Sequence, residues 1–196
     1  IRRQRQMCIR DRHKPAAWKG LNLADLKKAV AGHTADVLNA LKAAGVTPKW
    51  VQVGNEIRSG MLWDEDAALS GASYDVRECD VKGSNSTSEE VKYRENFANL
   101  AAFINVGYDA VKSVFDDAIV IVHLDNGYDN ELYTWFFDEL RANGGKWDMI
   151  GMSLYPYWTM LEHKEYTADR TITECIANIN SCLLYTSPSP RDRTRS

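Results

Sequence analysis

Residues 118–127, AIVIVHLDNG, pass from a continuous apolar run directly into a polar cluster. The run at 118–122 holds four β-branched residues, a composition typical of a parallel strand that is buried on both faces. The next five residues bring an imidazole, a carboxylate and an amide to the point where such a strand would end. The stretch therefore predicts a buried strand that delivers polar side chains to one edge of a sheet.

Two other stretches of the chain repeat this pattern. WVQVGNE at 50–56 predicts a short strand over 50–54, and DMIGMSLYPYW at 148–158 predicts a third strand over 148–155. Barrel enzymes build their sites at the carboxyl ends of many strands, whereas a doubly wound sheet concentrates its site at one switch point. Three polar or aromatic strand ends therefore favour an α/β fold of the (β/α)8 barrel type, with the doubly wound sheet as the alternative.

Helical periodicity fills the segments before, between and after these strands. The predicted helices span 23–44, about 88–115 and 129–143, and Ile172, Ile176 and Ile179 mark the start of another. Asn22 is the N-cap candidate of the first helix, and Gly45 follows its last turn. Because the crossovers between strands are this long, the strands are expected to pair in parallel.

The composition of the chain, 44% hydrophobic and 26% charged, is that of a globular protein. Residues 1–12 carry +4 and residues 183–196 carry +2, so the net charge of −3 for the whole chain becomes −9 for residues 13–182. This negative body disfavours nucleic acid or an anionic membrane as a partner. Both ends contain the string RDR and lack apolar periodicity, so we interpret them as adapter-like, non-native tails around one partial domain at 13–182.

Several classes of site are missing from the sequence. No apolar run reaches the roughly 20 residues of a membrane span, and no metal-ligand spacing, phosphate-binding loop or nucleophile elbow occurs. We therefore expect no metal, no cofactor and no membrane span. Cys79 and Cys175 lie about a hundred residues apart, so the sequence alone leaves their pairing open.

Glu56 is the strongest candidate for a catalytic residue. It directly follows the 50–54 strand, with Asn55 before it and with Met61 and Trp63 close behind. Apolar neighbours favour the neutral form of a carboxyl group, which is the form that a general acid needs. The alternative is an ordinary surface carboxylate at a strand end.

The string WVQVGNEIRSGMLW at 50–63 resembles the acid/base strand of the arabinogalactan endo-β-1,4-galactanases, glycoside hydrolase family 53. The resemblance covers nearly all of 13–182 and includes HLDNGYDNELYTWFFDEL at 123–140 and MIGMSLYPYW at 149–158. It implies the part of a (β/α)8 barrel from helix three through helix six. It also implies a retaining endo-hydrolase of β-1,4-galactan in pectic side chains, secreted to the extracellular, periplasmic or cell-surface space and monomeric at full length.

The resemblance also implies roles for individual residues. Glu56 corresponds to the acid/base, and Asn55 to the asparagine that hydrogen-bonds the sugar 2-hydroxyl. Further sugar contacts, for which carboxylate, amide and aromatic groups are suited, are implied for His123, Asp125, Asn126, Tyr155 and Trp158. Two alternatives stay open: His123 satisfies a backbone group near the barrel rim, and Trp63 is either a sugar platform in its loop or packs against its apolar neighbours.

The second carboxylate of a retaining glycosidase is the main departure from the family. Such enzymes need it about 5–5.5 Å from the first, and in this family it lies at the end of strand seven, which the resemblance places beyond this chain. Glu174 is a tempting substitute, but the isoleucines around it have helical spacing, so we interpret it as a helix residue. We therefore expect the chain alone to be inactive.

Two other classes of function compete with a galactanase. A non-catalytic carbohydrate-binding protein would also use aromatic strand ends, but it would not need the Asn55-Glu56 pair. Another barrel hydrolase or isomerase, or another glycosidase of the same clan, would share the fold. The polar stretch from about 59 to 87 has no clear period and is expected to be a functional loop. Residues 71–88 match no family motif.

Overall fold

A computed structural model describes residues 14–62 and 87–186 of the chain. Within them, three strands form one parallel sheet in the order β1 (Trp50–Gln52), β2 (Ile119–Leu124) and β3 (Met149–Met152). Val51 lies opposite Val120, and Val122 lies opposite Ile150. The predicted set of three adjacent parallel strands is therefore confirmed. A sheet with these helical crossovers is what part of a (β/α)8 barrel requires.

Five helices accompany the sheet within the described residues. They are α1 (Leu23–Ala43), α2 (Thr87–Val114), α3 (Asn130–Ala142), α4 (Pro156–Glu162) and α5 (Ala168–Thr186). Short 3₁₀ turns cover Ala16–Trp18 and Ile57–Ser59. The three helices predicted ahead of β3 are confirmed to within one residue at each end. In the described part of the chain, no helix is long and apolar enough to cross a membrane.

The first helix begins where its capping chemistry predicts. The Asn22 side chain accepts a hydrogen bond from the Asp25 backbone N–H at 3.0 Å, so one of the unpaired donors of the first turn is satisfied. Leu26 and Leu38 lie on the buried face of the helix. Val37 is 46% exposed, because it sits one position beside the stripe that packs on the protein.

The main core lies between β2 and the helices α2 and α3. Alternate residues of β2 are buried, which places Val122 and Leu124 against the helices and turns Ile121 and His123 to the opposite face. The helices contribute Phe97, Leu100, Ile104, Tyr133, Phe136, Phe137 and Leu140. Trp135 and Trp147 pack against this cluster as partly buried side chains, which is the role of packing residues rather than of sugar platforms.

The segment after β3 differs from the prediction. The third strand ends at Met152 instead of Tyr155, and a short helix, α4, begins at Pro156. Proline fixes φ near the helical value and lacks the N–H that a strand would use, so it is well suited to the first position of a helix. Tyr155 is the N-cap residue of this helix.

The last helix is confirmed, but its buried face was not foreseen. Ile172, Ile176 and Ile179 are all exposed. The opposite face of α5 packs on the protein through Thr171, Cys175, Asn178 and Cys182. Helix α5 ends at Thr186, four residues past the predicted end of the domain, while residues 1–13 and 187–196 lie outside the described residues.

Candidate active site

Four side chains meet at the carboxyl edge of the sheet. The Glu56 backbone N–H donates a hydrogen bond to Nδ1 of His123, with the two nitrogens 3.3 Å apart. The Nε2 atom of the same ring lies 2.9 Å from the Ser153 hydroxyl oxygen. Asp125 follows β2 and forms an ion pair with Arg58. The strand ends predicted to converge from three separate parts of the sequence therefore share one edge.

Glu56 occupies an unusual backbone conformation. Its φ of 50° and ψ of 51° lie in the left-handed region, which is disfavoured for residues with a Cβ. Its side chain is nearly buried, at 6% exposure. Within the described residues the carboxylate makes no hydrogen bond, so it is available to an incoming group. Strain at a buried, unpaired carboxylate is typical of a functional position.

The His123 ring is held between two protein groups. Burial lowers the pKa of His123 below its usual value, and the nearby Glu56 carboxylate partly opposes that effect. Gly151 lies beside the ring on β3, and a Cβ built there would come within 3.0 Å of His123 Cδ2 and 2.9 Å of Ile121 Cγ2. A residue without a side chain is therefore required at 151 for the ring to occupy this place.

An ion pair lies next to Glu56. The Arg58 Nε atom is 3.1 Å from Oδ2 of Asp125, and both side chains are largely shielded from solvent. Arg58 belongs to the 3₁₀ turn that starts after Glu56. The pair therefore joins the segment after β1 to the segment after β2. A shielded ion pair of this kind orients its carboxylate more strongly than an exposed pair would.

The loop after β2 is fixed from three sides. The Tyr133 hydroxyl donates to the carbonyls of Leu124 and Asp125, at 3.0 and 3.2 Å. The Gly127 N–H donates to the Ser153 carbonyl at 2.9 Å. The buried Asn178 side chain donates to the Gly127 carbonyl at 2.9 Å. Helix α3, the residue that follows strand β3 and helix α5 thus all hold the loop that carries Asp125.

Residues 10–180 match the family model of "Glycosyl hydrolase family 53". The chain belongs to this family. The match spans most of the chain and includes the whole cluster at the carboxyl edge. The resemblance read from the strand ends is therefore confirmed at the level of the family.

Several curated proteins are similar to this family 53 chain. A protein of Niallia circulans, named "Uncharacterized protein in bgaB 5'region", is 41% identical over 145 residues, covering 74% of this chain and 35% of that protein. The arabinogalactan endo-beta-1,4-galactanase of Thermothelomyces thermophilus is 27% identical, covering 74% of this chain and 37% of the galactanase. The chain thus spans about a third of the length of these relatives.

Solved structures agree with the fold. A fungal beta-1,4-galactanase structure superposes with a TM-score of 0.66 at 24% identity, covering 90% of this chain and 45% of that one. The GH53 catalytic domain of Ignisphaera aggregans gives a TM-score of 0.57 at 28% identity, covering 75% of this chain and 33% of that one. The three-stranded sheet of this family 53 chain is therefore consistent with part of a barrel.

Asn55, Asn126, Tyr155 and Trp158 are the other predicted site residues that lie within the described part of this family 53 chain. The Asn55 Oδ1 atom accepts from the Gln52 side chain at 3.2 Å, which tethers the residue beside Glu56. Asn126 has a left-handed φ of 52° in the loop after β2. Tyr155 and Trp158 lie at the start of α4, with Tyr155 48% exposed. Trp63 and Cys79 lie outside the described residues.

Glu174 is confirmed as a helix residue. It lies within α5, and both of its carboxylate oxygens are engaged: Arg170 Nε donates at 2.8 Å and the Tyr166 hydroxyl donates at 2.7 Å. The Arg170 hydrogen bond, followed by that from Tyr166, lowers the pKa of Glu174. Its carboxylate is thus already committed to neighbours on or near its own helix.

Four contributors to the site were missed from the sequence: Arg58, Gly151, Ser153 and Asn178. Arg58 stands within the quoted family string, and its place two residues after Glu56 was the available signal. Gly151 interrupts an apolar strand, which indicates a close approach by a neighbour. Ser153 opens the polar and aromatic cluster that follows the third strand, whereas Asn178 carries no local signal. Among residues 14–62 and 87–186, no group of three or more His, Cys, Asp or Glu side chains is placed to hold a metal ion.

Proposed function

We propose that this chain is the acid/base-bearing portion of a retaining endo-β-1,4-galactanase, with Glu56 as the general acid/base. The observation that carries the proposal is the nearly buried Glu56, in a left-handed backbone conformation, at the carboxyl edge of the sheet of a family 53 chain. A carboxylate without protein hydrogen bonds can give a proton to a glycosidic oxygen and later take one from water. The galactanase names of several relatives support the choice of substrate.

The surroundings of Glu56 suit a sugar. Asn55 is proposed to bind the 2-hydroxyl next to the scissile bond, held for that purpose by Gln52. The Arg58 pair presents Asp125 in a fixed orientation for a second hydroxyl, with Asn126 beside it. Tyr155, Trp158 and Trp63 are proposed as aromatic contacts for the apolar faces of neighbouring galactose units.

The nucleophile is proposed to lie outside residues 13–182. A retaining glycosidase places its second carboxylate about 5–5.5 Å from the first. Among the described carboxylates, Asp125 is paired with Arg58 and Glu174 with Arg170, so neither suits attack on the anomeric carbon. The chain would correspond to helix three through helix six of the barrel, a span supported by its coverage of about a third of its relatives. The whole enzyme is proposed to be secreted and monomeric.

The test compares three proteins on β-1,4-galactan: the enzyme spanning this chain, its Glu56→Gln variant and its Glu174→Gln variant. Because a general acid contributes about 10²–10⁴-fold, Glu56→Gln is expected to lower kcat/KM by that factor. Glu174→Gln is the matched control and should leave kcat/KM unchanged. Reducing-end release reports the rate, and the anomer formed first, followed by NMR, should be β.

Three outcomes would overturn the proposal. A Glu56→Gln variant with wild-type kcat/KM would remove Glu56 from the reaction. Hydrolysis of galactan by the 196-residue chain alone, lost on Glu174→Gln, would place the nucleophile in α5. A protein that binds galacto-oligosaccharides but cleaves none would favour the non-catalytic carbohydrate-binding alternative instead.

A further inference from the structure

The hydrogen bonds of His123 determine its protonation state. Nδ1 faces the Glu56 backbone N–H, which can only donate, so Nδ1 must accept through its lone pair. A neutral imidazole then carries its one proton on Nε2, and that N–H donates to the Ser153 hydroxyl oxygen. Both ring nitrogens are therefore used by the protein itself, in one tautomer.

The Glu56 peptide needs such a partner. Left-handed backbone at a residue with a Cβ is retained only where the surroundings hold it. The turn around it is flexible by composition, since Gly54 and Gly60 both have positive φ. The hydrogen bond to His123 ties this turn to the neighbouring strand across 67 residues of sequence.

We infer that His123 is a positioning residue for Glu56: its ring, neutral and unprotonated at Nδ1, holds the turn that fixes where the Glu56 carboxylate lies, and protonation of the ring releases that turn. The inference rests on the proposed function, because Glu56 is taken to be the acid/base. It goes beyond that function because His123 acts only through the Glu56 turn and does not contact the sugar. A protonated Nδ1 would set one N–H against another, so the hydrogen bond could not persist.

Charged and titratable groups approach the ring from few directions within the described residues. The turn after β1 contributes Glu56 and Arg58, and the loop after β2 contributes Asp125, which is paired with Arg58. The neighbouring parts of β1 and β3, at 51–53 and 151–153, hold no ionisable side chain. The helices packed on the sheet carry the Tyr133 hydroxyl on α3 and the buried Cys175 thiol on α5, and burial raises the pKa of each, so both stay neutral.

The balance of these groups sets the direction of the pH effect. Burial lowers the pKa of His123. The Glu56 carboxylate has the opposite effect, because it favours the protonated ring, but burial is the larger of the two effects. The ring is therefore neutral at pH 7 and becomes protonated only on the acid side of about 6.5, the usual histidine value. The Glu56 turn is expected to be intact above that range and to be lost as the pH falls through the pKa of His123.

The test uses the galactanase that spans this chain and two substitutions at one position. His123→Asn keeps an oxygen acceptor near the place of Nδ1 but cannot titrate. His123→Leu has a similar volume and no acceptor. His33→Asn, on the exposed surface of α1, is the control. We expect His123→Leu to lower kcat about 10²-fold, as a small misplacement of a catalytic group does, with KM nearly unchanged. His123→Asn should keep most of the wild-type kcat. Its kcat should also lack the fall at acid pH that protonation of the His123 ring causes in the wild type.

A second measurement does not depend on any variant. Nitrogen-15 NMR of the imidazole in the unmutated protein should show a proton on Nε2 and none on Nδ1, and the Glu56 amide should lose its exchange protection as the ring titrates. A proton on Nδ1 at pH 7, or an active enzyme whose His123→Leu variant keeps the wild-type kcat and pH profile, would overturn the inference. Absence of galactan hydrolysis by the wild type would instead overturn the proposed function.

Discussion

The parallel sheet has one carboxylate at each end, and the two differ in their hydrogen bonding: Asp148 is fully bonded, whereas Glu56 is not. At the amino end, Asp148 accepts hydrogen bonds from the Val120 N–H, the Tyr108 hydroxyl and the Lys112 amine, at 2.9, 2.9 and 2.8 Å. At the carboxyl end, Glu56 is more deeply buried but its carboxylate bonds to no described residue, and its backbone is strained. On the proposed function, one end of the sheet therefore stabilises the fold and the other carries the chemistry, the division found in barrel enzymes generally.

The largest effect is expected at the strained carboxylate. Glu56→Gly should lower activity on galactan by about 10²–10⁴-fold, because the proton donor is lost. It should at the same time raise the free energy of unfolding by about 1 kcal/mol, because glycine adopts a left-handed conformation without a Cβ clash. Activity assays and urea unfolding report the two effects separately.

The matched control is the same substitution in a regular helix. Glu174→Gly should leave activity unchanged and lower the free energy of unfolding by about 1 kcal/mol, the usual cost of glycine in a helix interior. If Glu56→Gly and Glu174→Gly both lowered the free energy of unfolding, the backbone of Glu56 would not be strained.

The second largest effect is a loss of stability expected from a substitution at the amino end of the sheet. Asp148→Asn removes the charge that pairs with Lys112 and leaves hydrogen-bond partners imperfectly matched, so the free energy of unfolding should fall by about 1–3 kcal/mol. The kcat of the folded enzyme should not change, because Asp148 lies at the edge of the sheet away from Glu56. A loss of kcat without a loss of stability would show that the two ends are not separate in role.

The stability difference between the wild type and the Asp148→Asn variant should depend on pH. Burial raises the pKa of Asp148, but the hydrogen bonds from Lys112, the Val120 N–H and Tyr108 outweigh it, so the pKa lies below its ordinary value. Stability from a depressed carboxyl pKa is present above the unfolded value and is lost as the pH falls through the folded value. The free energy of unfolding of the wild type should therefore exceed that of Asp148→Asn by the full amount at pH 7. The difference should shrink below about pH 4, as measured by urea unfolding across that range.

The smallest effect is expected from two glycine-to-alanine changes. At Gly32, in α1, a Cβ would meet nothing within 4 Å, so Gly32→Ala should stabilise the protein by about 0.5–1 kcal/mol. Gly151→Ala would press on the His123 ring and on Ile121 and should instead destabilise the protein by about 1 kcal/mol. It should also lower kcat, while Gly32→Ala should not. If the two variants had the same stability and the same kcat, Gly151 would not be needed to place the His123 ring.

Much of the fold could be predicted because its signals are local. The β-branched run of β2 and the periodic apolar residues of α1 depend on their own side chains alone. The face that α5 buries could not be predicted, because Ile172 and Ile176 are as apolar as a core face and only the neighbouring elements decide which side packs. The helix at Pro156 was missed because proline suits a loop as well as the first turn of a helix.

The site was predictable only in part for a related reason. Glu56, His123 and Asp125 follow apolar strands, so the sequence indicates that they share an edge. The partners that fix them do not follow from the pattern, because the contacts from His123 to Glu56 and from Asn178 to Gly127 join positions 67 and 51 residues apart. Such pairings depend on the register between elements, which no single stretch contains.

Azide rescue of a Glu56→Ala variant of the galactanase would identify Glu56 as the acid/base. With an aryl β-1,4-galactobioside that has a good leaving group, the glycosyl-enzyme should form without acid help and then wait, because the base that activates water is gone. Added azide, which needs no base, should raise turnover on the order of 10-fold or more and give a β-configured glycosyl azide. No rate increase with azide, or wild-type turnover on galactan without it, would contradict the assignment of Glu56 as the acid/base.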